Sequence, residues 1–349
     1  MLERLVHWAI AAPDDALPVP DLHDLQSAMA SGDQHAIDVA ANCAALGLAR
    51  MQLLGAAPPA QRAGWRITDS DTAIDLEARL QQALAAGSID TFFASLRPTH
   101  PDYAALRVAY AAEKDPVRRK TIALNMERWR WMPQSLGQSY VLVNTASFET
   151  SLWRGGERAG TWQVIVGKPS TPSPVFSARI TGVTFNPWWD IPASIVRERH
   201  GRFPTGQGYV KTAGGFRQKP GPLNALGQVK VVMPNPYHVY MHDTPSKSLF
   251  AQDVRAFSHG CIRVNDPLNL VTALLDGTQN RAQIDALVAT GRTTTVNLTR
   301  PLPVYVTYFT AGVLSDGSFA ILPDIYGRDA RLDALFTPGT TECSGSGRR

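Results

Sequence analysis

The feature that most constrains the fold is a change of texture near Pro133. Before it, apolar residues recur at helical spacing, as in "TAIDLEARLQQALAAG", where Gly87 can act as a C-terminal stop, and in "PVRRKTIALNMERWRWMP", where Pro133 cannot continue a helix. After it come "SYVLVNTASFETSLW", "TWQVIVG", "VFSARITGVTFNP", "QVKVVMP" and "YHVYMH", short β-branched or aromatic runs punctuated by Gly, Pro and Asn. Those runs are strand chemistry. Asp266 and Pro267 then read as the N-cap and first turn of a helix over "DPLNLVTALLDG", with Gly277 after its last turn. "RAQIDALVAT" gives another helix, and "PVYVTYFTAGVLSDGSFAILP" a late hairpin turning at Ser315-Asp316-Gly317. The fold class is therefore α+β: a helical domain over residues 1–133, a strand-rich domain over 134–336, and a Gly/Ser/Thr tail over 337–349 that reads as disordered. Trp129 and Trp131 are expected to pack on neighbouring elements.

A chain of 349 residues with 44% hydrophobic content can build sizeable cores. No uninterrupted apolar run approaches the roughly 18 residues of a membrane span, so no transmembrane segment is expected. The start, "MLERLVHWAIAAPDD", reads as an amphipathic helix and not as a signal peptide; either a leader has been removed or the protein stays inside. A net charge of +4 without a dense Lys/Arg cluster suits a carboxylate-bearing partner and argues against nucleic acid. Three cysteines make no disulfide framework, and the odd count leaves at least one free thiol. Cys43 sits in an apolar helix as a small buried hydrophobe, and Cys343 in the tail.

The chemistry gathers at "RAFSHGCIRV", Arg255 to Val264. A cysteine attacks as thiolate and needs a base, usually histidine. His259 lies two residues before Cys261, roughly 6–7 Å away at the α-carbons of an extended segment. His242, in "VYMHDTP", comes from a separate strand end and can be aimed across the pocket, with the carbonyl or carboxylate of Asp243 orienting it. His238 shares a face with Tyr240 and His242 if that strand is regular. Gly260 permits close backbone approach, and the amides of Gly260, Cys261 and His259 can form an oxyanion hole. Arg263 is placed to hold a substrate carboxylate, or it makes a surface ion pair. From the tripeptide alone Cys261 is equally a buried structural thiol. His242, His259 and Cys261 are also chemically suited to zinc, although no paired metal-ligand spacing supports a metal, and no cofactor is expected.

These residues resemble the L,D-transpeptidase (YkuD-type) family, whose motif places a base histidine upstream of Ser/Thr-His-Gly-Cys; here the separation is 261 − 242 = 19 residues. "NMERWRWMP", "YVLVNTASF", "VIVGKPSTPSPVFSARI", "FNPWWDIP", "GPLNALGQVKVVMPN", "HDTPSKSLF" and "DIYGRD" are similar to its large periplasmic branch, over about Asn125 to Asp329. The resemblance implies a mixed β-sandwich-like catalytic domain beside a helical scaffold domain. It implies a Cys261 thioester, with His242 as base oriented by the Asp243 carbonyl and His259 as a structural or oxyanion-hole residue. Ser258, Tyr240 and Tyr209 join Arg263 as expected substrate contacts. The implied partners are peptidoglycan stem peptides, as acyl donor and acceptor, and cell-wall synthesis proteins; the implied location is periplasmic. No peptidoglycan-binding module interrupts the helical region, and the lid segment, Pro192 to Gly221, is short. That leaves open the donor position, usually third-to-third, and hydrolysis as an L,D-carboxypeptidase. A zinc-dependent or non-catalytic wall-binding protein is the alternative from another class.

Overall fold

The computed structural model describes residues 2–62 and 64–333. The chain forms two units, one from residues 1–135 and 309–349 and the other Leu136–Tyr308. Residues 309–333 thus fall with the helical unit, whereas the sequence places them in the strand-rich domain. The tail at 337–349 and Cys343 lie outside the described residues.

In the helical unit the elements are α1 (Leu2–Ile10), α2 (His23–Ser31), α3 (Gln34–Leu54), a two-residue strand β1 (Trp65–Arg66), α4 (Leu76–Ala85), α5 (Ile89–Ser95), α6 (Pro101–Ala112) and α7 (Pro116–Arg130). Side-chain caps begin several of them: Asp33 accepts from His35 and Ala36 backbone N–H groups, Asp75 from Ala78, and Asp115 from Val117 and Arg118 ahead of Pro116. Each such cap contributes about 1 kcal/mol. Leu25, Leu48, Leu53, Leu80, Phe92 and Phe93 fill the core between these helices. The segment Gln34–Gln61, which includes α3, has a mean hydropathy of 1.2 and by length and composition is apolar enough to cross a membrane. Scattered Ala and Leu raise its average without the unbroken run that the sequence lacks, and the core helix of a soluble protein meets the same criterion. In α3, Ala45, Leu48, Ala49, Met51 and Leu53 are buried in the unit's core. Cys43 is only half-buried, and Cys261 is a free cysteine among the described residues.

α7 carries the unit's second device, a set of buried charges. Glu127, Arg128 and Arg130 are all at most 2% exposed. Glu127 accepts from the Ala57 N–H at 2.8 Å and the Trp131 indole at 3.0 Å, and pairs with Arg130. Arg130 donates to the Tyr103 hydroxyl at 2.8 Å and to the Asp15 carbonyl. The Asp15 carboxylate receives Arg97 and Arg107. Arg128 pairs with Asp329 at 2.7 Å and also donates to Thr310. Trp129 stacks between His100 and Phe309, and Trp131 packs edge-on to Trp65, as expected of both indoles. Gly55, at φ +84°, leaves room for this set, since a Cβ there would stand 2.4 Å from the Glu127 carboxylate.

In the other unit, the strands are β2 (Ser139–Asn144), β3 (Glu149–Arg154), β4 (Glu157–Gly167), β5 (Val175–Phe185), β6 (Trp189–Asp190), β7 (Tyr209–Thr212), β8 (Gly215–Gln218), β9 (Val229–Val232), β10 (Met241–His242), β11 (Ala256–Ser258), β12 (Ile262–Val264) and β13 (Thr294–Thr307). The main sheet runs β5-β13-β2-β3-β4-β12-β10-β9, and β9 pairs back onto β5, so the ends of the sheet meet. It is mixed: β13 is parallel to β2, β12 to β10, and β11 to β4. A helix, α8 (Ala193–Glu198), lies between β6 and β7. α9 (Pro267–Leu274) starts at Asp266, which adopts φ +46° and caps the Asn269 N–H with Pro267 in the first turn. α10 (Arg281–Ala289) carries a capping box from Asn280 and Gln283. The expected late hairpin divides: Val304–Thr307 pairs parallel with β2, and only Ala311–Val313 (β14) and Phe319–Ile321 (β15) form the hairpin, with Gly317 at φ +82° in its turn. The α+β class holds, with a helical region and a β-rich domain.

The segment expected as a lid, Pro192 to Gly221, lies in a small packed layer and not in a bare loop. After α8, β7 and β8 join β6 in a three-stranded sheet. Trp189, Ile191, Tyr209 and Leu226 form its core, with Phe203, Phe216 and Tyr240 packed against them.

Candidate active site

The site is built by three short strands lying side by side. β10 and β12 run parallel with Met241 opposite Ile262 and His242 opposite Arg263; β9 runs antiparallel to β10 with Lys230 opposite His242. Alternation then sorts the side chains. Val229, Val231, Met241, Ile262 and Val264 are buried on the core face. Lys230, His242 and Arg263 form a row on the other face. Tyr240 and Cys261, two residues before His242 and Arg263, stand on that same face, so the thiol is flanked by Tyr240 and diagonal to His242.

His242 is held in one orientation. Its Nδ1 lies 2.5 Å from the Asp243 carbonyl oxygen, which can only accept, so Nδ1 carries the proton and Nε2 is left as the basic nitrogen. The Tyr240 ring packs edge-on to the imidazole at 5.5 Å. Burial, reinforced by Arg263, Lys230 and Lys247, lowers the His242 pKa to about 3 against the pull of the Asp243 carbonyl. The Asp243 carboxylate acts elsewhere, accepting from the Gln228 and Thr244 N–H groups and pairing with Lys247 at 2.6 Å. A Cβ on Gly227 would meet that carboxylate at 2.2 Å, and Gly227 sits at φ +58°, so the turn before β9 requires glycine.

The thiol of Cys261 lies 3.8 Å from the His238 carbonyl. Burial raises its pKa, opposed by Tyr240, Lys230 and Arg263. At neutral pH both partners of the pair are therefore uncharged, a thiol beside a neutral imidazole.

The loop before Cys261 is fastened from beneath. Ser258 is 2% exposed; its hydroxyl donates to the Cys261 carbonyl at 2.5 Å and accepts from the Gly260 N–H at 3.0 Å. Ser173, also buried, donates to the Gly260 carbonyl and accepts from the Gly167 N–H. Gly260 adopts φ +112°, a conformation that sterically requires glycine.

Several of the expected site residues are engaged within the fold. The Ser258 hydroxyl is occupied inside the loop. Tyr209 is 6% exposed and packs on Phe203. The Gly260 amide is committed to Ser258, which leaves the Cys261 and His259 amides as the donors without a partner among the described residues. His238 lies at φ +54° ahead of β10 and presents its carbonyl, not its ring, to the thiol, because β10 is too short to carry it in register. His259 turns toward α8, its Nε2 2.6 Å from Glu198, and Glu198 also pairs with Lys168. His242 and His259 thus turn to different partners, and among the described residues no three His, Cys, Asp or Glu side chains are grouped as for a metal ion.

Lys230, Ser173, Gly227 and Glu198 were not singled out from the sequence. The alternation of "QVKVV" was a signal for Lys230, since valines that face the core force the lysine onto the other side.

A family model for the L,D-transpeptidase catalytic domain (YkuD) matches residues 138–299, and one for a scaffold domain matches residues 2–109. A Haemophilus influenzae protein described as a candidate L,D-transpeptidase is 28% identical over 241 residues, covering 61% of this chain and 48% of that protein. The chain thus spans about half the length of this curated relative. Among solved structures, an L,D-transpeptidase from Mycobacterium smegmatis is 16% identical with a TM-score of 0.29, covering 49% of this chain and 58% of that one. L,D-transpeptidase 3 from Mycobacterium tuberculosis, in complex with a faropenem-derived adduct, is 16% identical with a TM-score of 0.28, covering 49% and 60%. In chain order, the chain thus carries a scaffold domain and then an L,D-transpeptidase catalytic domain of the YkuD type.

Proposed function

We propose that the protein is a peptidoglycan L,D-transpeptidase that transfers an acyl group between stem peptides through a thioester on Cys261. The observation that carries this reading is the Nδ1 bond of His242 to the Asp243 carbonyl, which leaves Nε2 basic on the face that also bears Cys261.

The steps follow from the uncharged pair. As the Cys261 sulfur attacks the carbonyl carbon after the L-centre of the donor, its proton passes to His242 Nε2. The Cys261 and His259 amides are the donors available to the developing oxyanion, each such donor contributing about 2.7–4 kcal/mol. The tetrahedral intermediate collapses, the amide C–N bond breaks, and the imidazolium returns the proton to the departing amine of the terminal D-amino acid. The thioester is then attacked by an amine on the D-centre of a second stem. His242 takes that amine's proton and gives it back to the sulfur as the C–S bond breaks. The low pKa of His242 makes the imidazolium short-lived, so the proton moves with attack and not before it. Arg263 holds a donor carboxylate. The same poised thiol opens a strained carbapenem ring and keeps it as a Cys261 adduct. The setting is the periplasmic cell wall.

Incubation with defined muropeptides and mass spectrometry of the products tests the reading. A cross-linked dimer supports transfer, a shortened monomer alone supports L,D-carboxypeptidase action, and unchanged muropeptides contradict both.

A further inference from the structure

The charged row across β9, β10 and β12 holds two cations that no carboxylate contacts directly, although Asp190 acts on Lys230 from farther off. Lys230 and Arg263 are each opposite His242 in register, one on either side. Neither forms an ion pair among the described residues. Nearby cations differ: Lys247 pairs with Asp243, Lys168 with Glu198, and Arg217 with Asp190. The Lys230 ammonium instead lies 4.2 Å from the centre of the Tyr240 ring, which holds it over the site side of the sheet. Both cations are half-buried, and burial lowers the pKa of each. A partly desolvated cation without a partner is unfavourable unless an anion arrives to meet it.

The order of the strands says which anion. Cys261 immediately precedes β12, His242 is on β10 and Lys230 on β9, so the three functions step across adjacent strands at about 4.8 Å per strand, with Cys261 set back two residues from the register of the other two. A donor with its acyl carbon at the thiol and its leaving nitrogen at His242 continues in the same direction over β9. The next polar group of a terminal amino acid, beyond its α-carbon, is its α-carboxylate.

We propose that Lys230 is a specificity-determining residue that binds the free α-carboxylate of the leaving amino acid, so that the site selects donors whose scissile bond precedes a single unblocked terminal residue. This rests on the acyl-transfer reading above for the direction of the donor. Arg263, on the opposite side of His242, is left for a carboxylate of the acyl portion. A donor extended by one more residue, or capped as a carboxamide, brings a neutral group to Lys230 and leaves the ammonium unmatched. A charge-assisted hydrogen bond of this kind corresponds to roughly 10–100-fold discrimination.

The test compares two synthetic stem peptides that differ only in the last group, a free acid and its primary carboxamide. Acylation of the wild-type chain is followed by intact mass, and binding to Cys261→Ala by calorimetry. The expected result is about 10–100-fold preference for the acid in both measurements. Lys230→Met brings the ratio close to one, and Lys230→Arg restores most of it. Equal losses on both peptides in Lys230→Met overturn the proposal, because they show a role in tuning the thiol or in folding. An unchanged ratio, or no measurable binding of the acid, overturns it too. The calorimetric arm keeps the two readings apart: acid selectivity that depends on Lys230 without any acyl-enzyme in the wild type defeats the acyl-transfer function and leaves the anion site standing.

Discussion

The helical unit and the sheet unit both bring charge out of water, and they do so in opposite ways. Around α7, Glu127, Arg128, Arg130 and Asp15 are nearly inaccessible, and each meets an opposite charge or a hydrogen-bonding partner within the unit. Across β9, β10 and β12, Lys230 and Arg263 are only partly covered and form no ion pair among the described residues. A completed set of buried charges fixes a conformation, because removing one member strands another. An incomplete set is the signature of a site that waits for its counter-charge. Charge matching separates a structural cluster from a functional one even where both are rich in arginine.

The largest effect expected from breaking this contrast is at His242. Replacement by alanine removes the base and costs about 10²–10⁴-fold in turnover. His259→Ala, which removes a link to α8 and not the base, retains a measurable fraction. Steady-state rates on a defined muropeptide, with circular dichroism as a check of folding, decide this. Equal near-complete losses in two folded variants leave the assignment of the base without support.

On the other side of the comparison, Glu127→Gln strands Arg130 and weakens the bonds to Ala57 and Trp131. Loss of one partner in a buried pair costs about 3–5 kcal/mol, which denaturant unfolding reads directly. Arg128→Met, which strands Asp329, is expected to cost less, because that carboxylate reaches partial solvent exposure. Unfolding midpoints within error of the wild type in both variants show that the buried set is not structural.

A pH window sharpens the contrast further. The folded pKa of His242 lies at about 3, below the ordinary 6.5. Above pH 6.5 neither state is protonated there and the group has no effect. As pH falls from 6.5 toward 3 the unfolded chain takes up a proton that the folded chain refuses. Stability is therefore lost through this window, at about 1.4 kcal/mol per unit over its middle. His242→Gln removes this contribution, so its difference in stability between about pH 7.5 and about pH 4.5 is smaller than that of the wild type. The acid limb of kcat/KM is expected well below the ordinary histidine range for the same reason. A limb at 6.5 means that the free imidazole is not shielded as described.

The smallest effect is expected at the exposed latch between Glu198 and His259. Glu198→Gln weakens the hold of α8 on the motif loop, and water and the acceptor amine compete for the thioester. The ratio of cross-linked to hydrolysed product is expected to fall by a few-fold without a change in unfolding midpoint, in line with the small stability contribution of surface pairs. An unchanged ratio makes this ion pair incidental.

The sequence made much of this legible, for identifiable physical reasons. Period and punctuation marked the helices, the strands and the Asp266-Pro267 cap, because those signals are local. The spacing of His242 and Cys261 and the resemblance around them pointed to one shared site. What local signals did not carry was pairing at long range. Val304–Thr307 looked like half of a hairpin but took β2 as its partner. The burial of the charges from Glu127 to Arg130 had no local signal, because their partners Asp15 and Asp329 are far away in the chain. Tyr209 lies in a glycine-rich stretch, and only the fold shows that the aromatic residues around it close into a small core. Ser258 looked available beside the thiol, and only the folded loop shows that its hydroxyl is consumed.

The most direct test of the central claim is intact-protein and peptide-level mass spectrometry of the wild-type chain during reaction with a defined stem-peptide donor. The account predicts a transient acyl adduct on Cys261, with the mass of the donor less its terminal amino acid, which disappears when an acceptor amine is added and cross-linked product forms. Product formation with no adduct on Cys261, or turnover that persists in Cys261→Ala, would contradict it.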